Sequence, residues 1–384
     1  MDYLKLAEEI ISIDTSVPPV RNYEKSLDFL LPITVQLGFV SQKIKIPAEY
    51  CEGKDNRFAI VGHRRYPGKS RLIFYTHIDV VPAKGWNAFQ PNINNGRLYG
   101  RGAADMKGGI AGLLLGLNKV KDKTLNYDTS IMITTDEEYD QADQLRFLAK
   151  YLDPVMGASV LSLDSNFGFV SVANLGLLQM DIIVKGKSVH SAMAHQGENA
   201  IERAVPLMEA LLKLKRKVVH RKSKIKTNPN TGLKRMEGRL NLNVIKGGIK
   251  ANIVPDYCTI TVDRRLIPEE DINTAEKEII DTLESVPDVN WQIGRVIRIP
   301  TTLPGVSAII DQLSGIIKIV TGKTGKYGEM GSGDHSAIVA LEWGGIDFGI
   351  GVIRPESNIH GKDEYVYIKD IEDLGKIISQ LLAE

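Results

Sequence analysis

Cysteine is scarce in this chain of 384 residues: there are two, Cys51 and Cys258, and neither belongs to a motif. They support no disulfide framework and read as free thiols, buried or half-buried. Net charge is scarce too. With 48 Lys and Arg against 47 Asp and Glu the formal charge is +1, which gives no global argument for a nucleic-acid or membrane partner. No apolar run reaches the roughly 18 residues of a membrane helix. The opening residues, Met1 to Glu9, show no basic stretch followed by an apolar one, so a cytoplasmic enzyme is expected. Low-complexity segments and internal repeats are also missing. What is left, 43% hydrophobic and 25% charged, is a normal globular composition, long enough for two domains.

The informative stretch is Tyr75-Thr-His-Ile-Asp-Val-Val-Pro82, read with Gly100-Arg-Gly-Ala-Ala-Asp-Met-Lys-Gly-Gly109. The apolar run Arg71 to Tyr75 reads as a buried strand, and His77 and Asp79 sit where it runs out, on one side of it. Asp105 precedes a small, apolar, periodic helix at 106–120, in an N-cap position favoured for a carboxylate. A His at a strand end and an Asp at a helix start can converge on one point. Cations are the usual reason to bring them together.

Helical spacing marks 2–13 and 23–37, broken by Asp14-Thr-Ser-Val-Pro-Pro19; strands follow at 39–46 and 58–61. Thr129 to Thr135 is a further strand, running into Asp136-Glu137-Glu138, then come a helix near 142–152 and a strand at 158–163 ending in Asp164. Strand–helix alternation of this kind argues for a mainly parallel sheet flanked by helices. His77, Asp79, Glu137, Glu138 and Asp164 all directly follow apolar strand runs. That carboxyl edge is where ligands bind in open α/β sheets.

From about 176 the texture changes to alternating strands (177–184, 240–245, 258–262) and two helices (199–214, 269–285), closing near 292–299. The expected architecture is an α/β domain, 1–175 plus 299–384, with an inserted smaller α+β domain at 176–298. Residues 213–239 hold 11 Lys or Arg and a single acid, Glu237, without aromatic interleaving; they read as a solvated, mobile hairpin or loop rather than a nucleic-acid site. A helix at 305–320, a Gly-rich turn at 325–333, a strand at 346–350 and a last helix at 369–382 complete the chain. The tail supplies His360, in Asn358-Ile-His-Gly-Lys-Asp-Glu364.

These pieces, in this order, resemble one family over nearly the whole chain: the metal-dependent amidohydrolases and peptidases that include acetylornithine deacetylase, succinyl-diaminopimelate desuccinylase, aminoacylase and the glutamate carboxypeptidase. The resemblance rests on His77-x-Asp79, Gly100-Arg-Gly-x-x-Asp105-Met-Lys-Gly-Gly, Asp136-Glu-Glu138 and Asp164. It rests equally on Gly186-Lys-Ser-Val-His190-Ser, Asn252-Ile-Val-Pro-Asp256, Asp263-Arg-Arg265 and His360-Gly-x-Asp-Glu. It implies two divalent cations, zinc first with cobalt or manganese as alternatives. His77 and Asp164 would hold one, Glu138 and His360 the other, and Asp105 would bridge, with a cis peptide after it. Asp79 would steady the His77 ring through its other nitrogen. Glu137 would be the general base.

In the inserted domain, whose role by resemblance is that of a lid and dimerisation module, His190 would reach an active site and donate to the oxyanion. Read from its residues alone, it is a structural histidine at a strand end. Asn252 and Arg265 would contact substrate, Arg265 being preferred to Arg264 by family spacing, and Gly331 and Ser332 would line the pocket. His195 and His335 are read as non-ligands. One departure stands out: the family usually follows the Glu pair with Gly, where this chain has Tyr139-Asp140, which bears on substrate class more than on catalysis. The implied activity is hydrolysis of an N-acyl amino acid or small peptide by a homodimer. Deacylase and carboxypeptidase or dipeptidase stay open, and a non-catalytic binding protein is the reading from another class.

Overall fold

The computed structural model describes residues 2–139, 141–304 and 306–383. The chain divides into two compact units, Met1–Val172 with Pro304–Tyr327 and Asp334–Glu384, and Ala173–Leu303 with Gly328–Gly333.

The larger unit is built on an eight-stranded sheet whose centre runs Asp128–Thr134, Arg71–His77, Ser159–Ser162, Ile346–Gly349, all parallel. Arg57–Arg64 and then Val40–Ile46 extend one edge in the antiparallel sense. Along Arg71–His77, Leu72 and Phe74 face one apolar cluster and Ile73 and Tyr75 another, as strand alternation requires. The first cluster takes Leu6, Leu27, Leu114, Leu313 and Leu374 from five helices: Tyr3–Ser12, Tyr23–Gln36, Gly108–Lys119, Ala308–Thr321 and Ile368–Leu382. The second takes Leu145 and Leu148 from Ala142–Leu148, with Val339 and Trp343. Burial on both faces explains why these strands read as continuous apolar runs. Gly116 lets the helices Gly108–Lys119 and Ile368–Leu382 close on each other; a Cβ there would lie 2.9 Å from the Gly375 carbonyl.

Register matters for the site. His77 pairs with Thr134, and Tyr75 with Ser162, so three parallel strands end nearly flush and release His77, Glu137, Glu138 and Asp164 at one edge.

Two expectations need correction. The helix assigned to 106–120 begins at Gly108, behind a wide turn at Ala103–Lys107 that contains the expected cis Asp105–Met106 peptide. Asp105 is therefore not an N-cap. Its N–H and its neighbours' are satisfied by Glu364, from the other end of the chain, which frees the Asp105 carboxylate for other partners. Second, residues 213–239 are not a free hairpin. Residues as far as Val218 finish the helix Ala200–Val218, and the apolar residues inside the basic run anchor the rest: Met236, fully buried, packs with Leu175, Ile225 and Ile267. Its cations are partly neutralised, Arg221 by Glu270 and Glu278 and Lys222 by Glu237.

The smaller unit is a four-stranded antiparallel sheet ordered Arg239–Gly247, Tyr257–Leu266, Gly176–Lys185, Trp291–Ile299, with the helices Ala200–Val218 and Ile272–Glu284. Gly176–Lys185 buries every second residue (Leu178, Met180, Ile182, Val184) in a core shared with both helices. Cys51 and Cys258 are free and buried, as expected.

Candidate metal centre

At the carboxyl edge of the large sheet, His77 Nε2 lies 3.6 Å from Asp105 Oδ1, 3.8 Å from Glu137 Oε2 and 3.9 Å from Asp164 Oδ2. These separations are long for hydrogen bonds. They match the roughly 3–4 Å between atoms that share a cation at ligand distances of about 2.0–2.2 Å. On the other side of Asp105, His360 Nε2 is 3.1 Å from Asp105 Oδ2 and 3.1 Å from Glu138 Oε1. Two groups thus form, His77, Glu137 and Asp164, and Asp105, Glu138 and His360, with the ligand atoms of each within 4.8 Å of one another. Asp105 turns one oxygen toward each.

The electrostatics show what such a pocket needs. His77 is fully buried, yet its Nε2 has no hydrogen-bond partner. Burial, followed by repulsion among the neighbouring acids, pushes the Glu137 carboxyl well above the usual range. Burial likewise lifts Glu138 to about 7 and Asp164 to about 6. His360 is raised to about 10 by its hydrogen bonds to Asp105 and Glu138. Burial alone would raise Asp105, but the bonds to His360 and His77 outweigh it and hold it well below the carboxylate range. Four clustered carboxylates with two imidazoles are a deficit of positive charge that divalent cations would fill, and the mixed N/O donor set fits zinc, cobalt or manganese.

The supporting contacts differ in detail from expectation. His77 Nδ1 faces the Asp79 carbonyl at 3.2 Å, with the Asp79 carboxylate at 3.4 Å, so the ring is fixed mainly by backbone. The Asp79 carboxylate instead accepts the Glu138 N–H at 2.9 Å, steadying the turn that carries both glutamates.

Glu364 is the residue to which sequence reasoning gave no role. It is fully buried and accepts from the N–H groups of Gly102, Ala104 and Asp105 and from Arg101. Arg101 also donates to the carbonyls of His360 and Gly361 at 3.1 Å, so this pair ties the Asp105 loop to the His360 loop. The only signal was an acid four residues after His360. Glu364→Gln leaves Arg101 buried against a neutral partner. We expect unfolding free energy to fall by about 3–5 kcal/mol and metal affinity by about 10–100-fold, read by urea unfolding and competition with a chelating dye.

The residues predicted to meet substrate lie in the smaller unit. His190 pairs with Ile253 in a short ladder, is exposed, and accepts the Ala192 N–H on Nδ1 at 3.1 Å. Asn252 is exposed and its carbonyl accepts the Ser191 N–H. Arg264 is fully buried against Glu270, whereas Arg265 is only partly buried. The Arg265 Nε and one terminal nitrogen engage Asp263 at 2.9 and 3.1 Å, and the other terminal nitrogen reaches Ser332 Oγ at 3.1 Å. The Gly331 carbonyl accepts the Leu175 N–H at 2.9 Å. His335 stacks on Tyr75 at 4.4 Å and faces Asp347; His195 is exposed; neither joins a metal-type group among the described residues. Tyr139 is exposed under the Lys54 ammonium, and Asp140 lies outside the described residues.

Residues 73–384 match the model of peptidase family M20/M25/M40. The chain belongs to that family. This M20/M25/M40 protein is accordingly a metal-binding hydrolase of the metallopeptidase and amidohydrolase class. It is similar to a succinyl-diaminopimelate desuccinylase of Corynebacterium glutamicum, 27% identical over 322 residues, covering 82% of this chain and 81% of that one. A second desuccinylase, from Cupriavidus pinatubonensis, is 30% identical over 330 residues, 81% of each. Among solved structures, an M20 family metallo-carboxypeptidase from Sulfolobus solfataricus superposes with TM-score 0.76 at 17% identity, covering 99% of this chain and 98% of that one. Human carnosine dipeptidase 1 follows at 0.75 and 15%, covering 99% and 96%. At those identities the structures speak for the M20/M25/M40 fold alone: an α/β domain with an inserted smaller α+β domain.

Proposed function

We propose that this M20/M25/M40 hydrolase uses two divalent cations, zinc in the first instance, to cleave the amide bond of an N-acyl amino acid, in the manner of a desuccinylase or deacetylase. The observation that carries the reading is Asp105, whose two oxygens face two separate His-carboxylate groups. His77 and Asp164 would hold one cation, Glu138 and His360 the other, and Asp105 both. When bound, the cations polarise the scissile carbonyl and make water more acidic.

The rest is the chain's own work. Glu137, which stands in the first group beside His77 and Asp164, takes the proton from the attacking water and delivers it to the departing amine nitrogen. Asp79 holds the His77 ring through its carbonyl and the Glu138 backbone through its carboxylate. Arg265 has two of its nitrogens occupied by Asp263, so recognition of a substrate carboxylate falls to the terminal nitrogen beside Ser332, with Asn252 as a further substrate contact and Gly331 lining the pocket. His190 donates to the developing oxyanion. In this reading 1–175 plus 299–384 is the catalytic domain and 176–298 the lid and dimerisation domain, in a cytoplasmic enzyme. No helix among the described residues is long and apolar enough to cross a membrane.

Most of the chain aligns with desuccinylases, which favours acyl removal; the names of the structural neighbours keep a carboxypeptidase or dipeptidase as the second reading. A panel of N-succinyl and N-acetyl amino acids and dipeptides, with zinc, cobalt or manganese, decides between them. Silence across the panel with both cations bound would instead mean a binding protein.

The exposed apolar residues of the smaller unit support the homodimer reading. On the helix Ala200–Val218, Ile201, Val205 and Leu212 are 37%, 44% and 43% exposed, and the adjoining edge strand Arg239–Gly247 exposes Val244 and Ile245. Exposed apolar residues gathered along one helix and its neighbouring strand mark an interaction face. Leu212→Glu is expected to convert the dimer to a monomer by light scattering; an unchanged mass would place the interface elsewhere.

A further inference from the structure

Asp136, immediately before the two glutamates, has a conformation that is costly for a residue with a side chain: φ is +66°, in the left-handed region. Its side chain is 2% exposed. It accepts hydrogen bonds from three side chains on three different elements: Tyr23 Oη at 2.8 Å, Arg57 Nε at 2.6 Å and Gln144 Nε2 at 3.1 Å. Arg57 is itself pinned, by the Asp55 carbonyl at 2.8 Å, and is buried. Tyr23 belongs to the helix Tyr23–Gln36, Arg57 to the strand Arg57–Arg64 and Gln144 to the helix Ala142–Leu148, so the grip fixes Asp136 against the frame of the larger unit. The Asp136 carbonyl then accepts the Tyr139 N–H at 3.1 Å and closes the turn that carries Glu137 and Glu138.

We infer that Asp136, gripped by Tyr23, Arg57 and Gln144, is a positioning residue for Glu137, setting the direction in which the base points. The inference rests on the reading of Glu137 as the base. A left-handed residue relaxes by rotating its backbone, and rotation at 136 swings the next side chain first. The Glu138 N–H has a second anchor in the Asp79 carboxylate. Among the described residues no side chain anchors the Glu137 N–H in this way, so loosening the grip moves the base more than the ligand. A merely architectural ion pair would change stability and leave the chemical step alone.

The test uses substitutions that keep the packing, Tyr23→Phe and Arg57→Lys, in the full-length metal-loaded enzyme beside wild type and Glu137→Gln. Both variants should keep two cations per chain and the wild-type KM while kcat falls about 10–100-fold, the size of effect known for residues that orient a site from behind. Asp136→Asn, which tolerates the left-handed backbone, should lose as much as the worse of the two. Wild-type kcat in folded Tyr23→Phe and Arg57→Lys overturns the inference. So does a rise in KM alone, or cation loss in step with activity. If Glu137→Gln itself turns over normally, the base assignment falls; if only the grip variants do, the base stands and the positioning role falls.

Discussion

Glu137→Gln is expected to lower kcat by about 10²–10⁴-fold, the usual share of a positioned acid–base group, while both cations remain bound. The substitution keeps shape and hydrogen-bonding reach but removes the ability to take a proton from water. The metal count matters as much as the rate. Glu137 Oε2 lies 3.8 Å from His77 Nε2, within the first group, and geometry alone would let it serve as a ligand. A base leaves occupancy at two per chain when it is neutralised, whereas a ligand takes a cation with it. Elemental analysis of the purified variant, beside its turnover, separates the two.

Removing the cations is expected to abolish activity and to make the fold strongly pH-dependent. A site occupied at about a thousand times its dissociation constant contributes roughly 4 kcal/mol to stability, and stripping it leaves the acids facing one another. The sign follows from which state holds more protons. Glu138, lifted from 4.5 to about 7, and Asp164, lifted from 3.8 to about 6, stay protonated in the fold at pH values where the unfolded chain has already lost those protons. Stability of the metal-free protein therefore falls as pH rises through that window. His360, moved from 6.5 to about 10, adds in the same direction: its contribution is complete below pH 6.5 and disappears toward 10. Thermal melts of chelated protein should show a midpoint that drops steadily from pH 5 to pH 8. The metal-loaded enzyme should be nearly flat over the same range, because cations replace the protons. A flat chelated protein would mean that the acids are not packed as described.

The carboxyl edge of the sheet was legible because parallel strands covered on both faces must be continuously apolar, and the first polar residues after each run mark where it ends. His77, Glu137, Glu138 and Asp164 stood out for that reason, and the resemblance joined His360 to them. What stayed hidden depends on partners far along the chain. Asp105 looked like a helix cap because the local pattern fits one, but Glu364, 260 residues or so away, satisfies the backbone there. Tyr23 and Arg57 carry no sign of their contact with Asp136, since nothing local to either residue requires it. The basic run looked solvated by composition, but Met236, with Ile225 packed beside it, pins the stretch beyond the helix end.

Anomalous diffraction from crystals soaked in zinc, recorded on both sides of the zinc absorption edge, bears most directly on the paired-cation centre. Two peaks should appear within about 4 Å of each other, one beside His77 and Asp164, the other beside Glu138 and His360, with Asp105 between them. A single peak, or zinc bound only at surface histidines such as His195, would contradict the account.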